Sequence, residues 1–132
     1  MMTALLIVDA ANVVGSVPNG WWKDRAGATE RLRDALLPVA EAGLPDAAPE
    51  LGPPVQIVMV VEGAAKDIRG VPGVDVVSAP TTGDDTIVEI IRDAPDGQVR
   101  AVVTADRELR ARVEELGGLV VGPRNLPHLR RP

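Results

Sequence analysis

The chain of 132 residues has no cysteine, no phenylalanine and no tyrosine, and it has one histidine. Without cysteine there is neither a disulfide framework nor a thiolate metal site, which suits a reducing cytoplasm. The lone imidazole, His128, lies in the tail "PRNLPHLRRP" and leaves histidine acid–base chemistry one poor candidate. Trp21 and Trp22 are the only aromatic residues. A continuous stacking platform for a single strand normally needs several, so a pure stacking binder is not expected. No apolar run approaches the ~20 residues that span a bilayer. The start, "MMTALLIVDA", also lacks the basic segment of a signal peptide. The expectation is a soluble, cytoplasmic protein with no membrane contact. Excess positive charge is absent too: the net charge is −5. Nucleic-acid binders that work by bulk charge are basic, so any such contact here must use a local patch. Apart from Lys23 and Lys66 the cations are all arginine, the side chain that suits phosphate forks.

What is present reads as one globular domain, 1–132, with 45% hydrophobic and 25% charged residues. Runs rich in Val and Ile alternate with helical patterns, which argues a parallel sheet with crossover helices. The first strand is expected at about Thr3–Asp9. A helix follows from an Asp24 cap, with Leu32, Leu36 and Val39 on one face, and Pro38 should end or kink it near Leu37. Gly43–Pro54 reads as a Pro-rich, mobile or variable loop. "VQIVMVVEG" from Val55 and "VDVVSA" from Val74 give the second and third strands. "TTGDDTIVEIIRDA" reads as a helix capped by Thr82, with Asp85 placed as in a capping box. "VRAVVTAD" gives the fourth strand and "DRELRARVEEL" a helix with Leu109, Val113 and Leu116 inward. In that helix Glu108–Arg112 and Arg110–Glu114 are spaced for surface pairs. Gly117-Gly118 stops it, and "LVVG" is a fifth strand. The expected core is a central parallel sheet of about five strands with helices crossing over it.

The acids fall at systematic places in this scheme. Asp9, Glu62 and Asp106 sit at or just past the carboxyl ends of strands, and Asp84 and Asp85 open the helix after the third strand. Ligands of open parallel sheets bind outside those carboxyl ends, where the strand order reverses. If the strand order is 3-2-1-4-5, Asp9 and Asp106 face each other there, with Asp84 or Asp85 overhead. Crowded carboxylates stay ionised together only around a cation. An oxygen-only donor set without His or Cys suits Mg²⁺ or Mn²⁺. Such an ion lowers the pKa of a bound water and neutralises charge on a transferring phosphoryl group. Asn12, on the expected loop after Asp9, is placed for a metal-bound water or a phosphate oxygen, and so are the hydroxyls of Thr82 and Thr104. Plain structural roles compete. Asp84 and Asp85 suit the positive end of a helix, Asp106 can be an N-cap, and Glu62 reads as a solvated strand end. Asp9, directly ending a buried strand, has no such alternative.

"LLIVDAANVVGSVPNGWWKDRAGATERL", the "GDD" at Gly83–Asp85 and "VVTADRELRARVEELGGLVVGPRNL" resemble NYN-domain proteins of the PIN-like nuclease superfamily, in the branch similar to YacP-type ribonucleases. The resemblance covers most of the chain. It implies a compact, three-layer α/β/α fold with a central parallel sheet of about five strands in the order 3-2-1-4-5, and Mg²⁺- or Mn²⁺-dependent hydrolysis of RNA phosphodiesters. It places Asp9 and Asn12 on the family's first-strand motif, Asp84 or Asp85 on its central acidic motif, and Asp106 on its "T-x-D" motif. Ala10 stands where such proteins commonly have glycine. Asp9, Asp85 and Asp106 are the expected catalytic and metal-binding acids, with Asp84 a further ligand. "GWWKDR" reads as a substrate lip, with one of Trp21 and Trp22 stacking on a base and the other filling the core. Lys23 and Arg25 would meet phosphates. Arg107 could bridge to phosphate or be an ordinary first-turn residue, and Arg124, Arg130 and Arg131 make a basic tail.

RNA is the expected partner, and a homodimer stays open. Two further readings remain: a non-catalytic RNA- or protein-binding module of the same fold, and a metal-dependent nucleotide pyrophosphohydrolase. Other classes with an aspartate at the first strand fit worse. A haloacid-dehalogenase-type phosphatase wants a second Asp where Ala11 stands, and a receiver domain wants a Lys near the end of the fifth strand.

Overall fold

A computed structural model describes residues 2–16, 20–63 and 67–127. Its centre is a five-stranded sheet in the order β3-β2-β1-β4-β5, parallel throughout. β1 (Ala4–Asp9) is buried along its whole length and lies between β2 (Val55–Val61) and β4 (Arg100–Val103). β3 (Val74–Ser78) and β5 (Leu119–Val121) form the edges. A central parallel strand is covered on both faces, which is why β1 reads as an unbroken apolar run.

Alternation along the strands divides the core in two. Leu6 and Val8 of β1, with Ile57, Met59 and Val61 of β2, pack under α1 (Ala10–Gly15), α2 (Arg25–Ala35) and α3 (Leu37–Ala42). Leu5 and Ile7, with Val58, Val60 and Val102, pack under α4 (Gly83–Asp93) and α5 (Arg107–Glu115). The chain leaves β1 toward β2 on one face and returns from β3 to β4 on the other. The order therefore reverses between β1 and β4, beside the end of β1.

The strands and main helices lie where the periodicity places them. Asp24 caps α2 by accepting from the Gly27 N–H at 2.9 Å. Pro38 does separate two helices, but the break falls one residue earlier than expected. α2 ends at Ala35, and Pro38 sits in the first turn of α3, where its missing N–H has no partner to lose. The Gly43–Pro54 segment is pinned by Leu44 and Leu51, both in the core, and by the Leu44 N–H donating to the Leu51 carbonyl at 2.9 Å. Gly43 adopts φ 66°, and a Cβ there would meet the Leu51 carbonyl oxygen at 2.2 Å. Among the described residues no helix is long and apolar enough to cross a membrane.

Two expectations need correction. Residues after Asp9 form no loop: α1 begins at Ala10, so Asn12 is in the first turn of a six-residue helix. Arg112 does not pair with Glu108 one turn back. It crosses to α4 and meets Asp85 at 3.2 Å.

Candidate active site

The site is built on the carboxyl edge of β1 and β4. Alternation turns Asp9 toward the face that carries α4 and α5, and the residue is only 7% exposed. Its Oδ2 accepts from the Thr104 hydroxyl at 2.9 Å. Thr104 is fully buried, and its oxygen in turn accepts the Asp106 N–H at 3.1 Å. The threonine thus ties the end of β1 to the start of α5 and holds Asp9 in one orientation. It is sealed from solvent, so it does not offer its hydroxyl to a ligand as expected. Asn12 accepts the Ala105 N–H at 2.8 Å and locks α1 to the same turn, so its carbonyl oxygen is committed within the chain.

Around Asp9 stand further acids. Its carboxyl is pushed up to about 6, by burial first and by the charges of Asp84 and Glu62, against the hydrogen bonds from Thr104 and the Asn12 backbone. Asp84 is also raised, first by burial, then by Asp106, against the pull of Arg112, with Glu62 and Asp85 adding. Asp84 is therefore the acid coupled to both Asp9 and Asp106. Asp85, also expected as a site acid, is exposed and held by Arg112. The cause is helical geometry: adjacent side chains diverge by about 100° around the axis, so one of the pair turns to the sheet and the other turns away. Asp106 caps α5 through Oδ1, which accepts the Leu109 N–H at 3.0 Å, so its expected structural role is real. Thr82 caps α4 by accepting the Asp85 N–H at 3.4 Å.

Glu62 is the residue the sequence undervalued. It is half-buried, and its Oε2 accepts the N–H of Gly83, the first residue of α4. A Cβ on Gly83 would lie 2.8 Å from that oxygen, so glycine is what lets the carboxylate approach the helix end. The available signal was positional: Glu62 directly follows β2, whose Val60 pairs with Asp9.

The expected lip is partly described. Trp22, in a 3₁₀ turn spanning Trp21–Lys23, is 59% exposed, and Lys23 and Arg25 are exposed beside it. The Trp21 side chain, His128, Arg130 and Arg131 lie outside the described residues. Arg107 opens α5 on the surface, and Arg124 is exposed in a 3₁₀ turn after β5.

Among the described residues no three carboxylates converge as a ready-made metal cage. The donor set still fits a hydrated Mg²⁺ or Mn²⁺. Such ions are held by one or two carboxylates, waters and substrate phosphate rather than by an all-protein cage. Asp9, raised by burial and by Asp84, and Asp84, raised by burial and by Asp106, supply that much.

A parallel sheet ordered 3-2-1-4-5 inside two helical layers is an α/β/α fold of PIN-like topology. The fold is similar to that of Rae1 (YacP) from Bacillus subtilis. One crystal structure of that protein aligns with a TM-score of 0.66 and 20% identity, covering 96% of this chain and 72% of the other. A second, of a Trp-to-Leu mutant, aligns with a TM-score of 0.68 and 16% identity, covering 96% and 74%. No family model matches the chain, and no curated protein matches it by sequence.

Proposed function

We propose that this chain is a metal-dependent ribonuclease that hydrolyses RNA phosphodiester bonds at the Asp9–Asp84 edge. One observation carries the reading: Asp9, at the end of a buried strand, is pushed up to about 6 by burial first and then by the acids Asp84 and Glu62 beside it. A fold has no structural use for that arrangement, and a cation resolves it. Asp9 and Asp84 would hold Mg²⁺ or Mn²⁺, with Asp106 and Glu62 alongside. The ion would neutralise phosphate charge and ease deprotonation of the attacking water. The chain's own residues position and grip. Thr104 fixes the Asp9 carboxylate, and Asn12 fixes the turn that carries Asp106. Lys23 and Arg25 meet backbone phosphates, and Trp22 offers an indole to a base.

A small-nucleotide pyrophosphohydrolase is the weaker reading. Pockets that enclose a whole small molecule run to about 300–1,000 Å³. The cavity next to the acids is ≈ 150 Å³.

The test is cleavage of labelled RNA, with nucleoside triphosphates in parallel, in Mn²⁺ and in chelator, for wild type and Asp9→Asn. The expected result is Mn²⁺-dependent RNA cleavage that the substitution lowers by about a hundredfold or more. Cleavage that survives chelation, or that is equal in the variant, overturns the mechanism. Triphosphate turnover without RNA cleavage installs the alternative.

A further inference from the structure

Glu62 belongs to two places at once. Its carboxylate accepts from Gly83 on the α4 face, and the residue also lines a cavity of ≈ 150 Å³ between α1, α2 and the end of β2. This cavity and the acid edge share one wall. Its apolar lining comes from Ala10, Ala11 and Val14 of α1 and from Val61. Thr29 and Arg25 of α2 complete it on the side of the Trp22 turn.

We propose that this cavity is a pyrimidine subsite, which takes the single-ring base of a nucleotide whose phosphate lies at the acid edge. The proposal rests on the nuclease reading for its substrate and on the cavity itself for its selectivity. Size is the first ground. An apolar protein cavity of about 150 Å³ holds one benzene ring, so a six-membered ring fills this one, whereas the second ring of a purine would stand out of its open mouth.

Hydrogen-bond polarity is the second ground. The Thr29 hydroxyl gives its one proton to the Arg25 carbonyl at 2.7 Å, so toward a ligand it can only accept. Uracil brings its ring N–H and cytosine its amino group to that acceptor. Single-stranded RNA is read in this manner, by splaying one base into a pocket and bonding its edge.

The test is NMR titration of the whole chain with uridine, cytidine, adenosine and guanosine 5′-monophosphates. Three proteins are compared: wild type, Ala11→Leu and Ala11→Ser. Ala11 reaches solvent as well as the cavity, so leucine there fills the space without entering the core. Wild type should bind the two pyrimidine nucleotides about tenfold more tightly than the purines. Ala11→Leu should abolish that difference and Ala11→Ser should keep it. Equal binding of all four nucleotides, or a preference untouched by leucine, overturns the subsite. RNA cleavage by the same samples reports separately on the nuclease. A pyrimidine preference in binding without any cleavage leaves the subsite standing and removes the nuclease.

Discussion

At Asp9 function and stability oppose each other. The folded chain keeps a proton there up to about pH 6, whereas an unfolded chain releases it near the ordinary 3.8. Between those values the folded state binds more protons than the unfolded one. Its stability is therefore greatest at the acid end and falls as pH rises through the window. The full difference is worth roughly 3 kcal/mol. Asn has the same shape, has no charge and retains an oxygen for Thr104. Urea unfolding of Asp9→Asn should flatten the dependence between pH 4 and pH 6.5. At neutral pH the variant should exceed wild type by about 1–3 kcal/mol, while losing activity. A wild type whose stability is level across that range contradicts this account. A cation bound at Asp9 relieves the same strain in another way. Saturating Mn²⁺ at pH 7.5, at about a hundred times its Kd, should stabilise wild type by ~2.7 kcal/mol, read as a rise in Tm. Asp9→Asn should gain little. An equal rise in both proteins would mean that the ion binds elsewhere.

At the scale of elements, the strands were legible because Val and Ile runs such as "IVMVV" have one comfortable home, a sheet covered on both faces. The order 3-2-1-4-5 came with the family resemblance, and the placing of the acids agreed with it without dictating it. α1 was not legible. "AANVVG" is six residues long, has no side-chain cap and is held by packing of Val13 and Val14, which local propensity does not record. Nor could spacing choose between Asp84 and Asp85, because the choice depends on how α4 is rotated over the sheet. Ile87, Val88 and Ile91 set that rotation by facing the core. The structure makes the choice testable. Asp84→Asn should lower RNA cleavage about a hundredfold, whereas Asp85→Asn should leave it within about threefold. Asp85→Asn should also cost under ~1 kcal/mol of stability, since its pair with Arg112 is solvent-exposed. Single-turnover rates and urea midpoints for the two variants decide it, and the reverse ranking would return Asp85 to the site.

For the whole molecule, a net charge of −5 and an acidic edge repel the polyanion that the site is proposed to cut. Grip must come from a few cations close to the edge, chiefly Lys23 and Arg25, which are exposed beside Trp22. A contact with about three phosphates of a single strand gives a salt slope, log Kobs against log[salt], near −2. A broad basic face meeting ten phosphates would give about −7. Anisotropy of a hydrolysis-resistant RNA analogue, titrated at several KCl concentrations with Mg²⁺ fixed, should therefore show the shallow slope. Arg25→Ala should make it shallower by about 0.7, the share of one phosphate. Removing Mg²⁺ should weaken binding further, because the Asp9–Asp84 edge then meets phosphate with its own charge uncompensated. Binding that tightens on chelation would show that RNA approaches some other face, and the acids would lose their claim to the substrate.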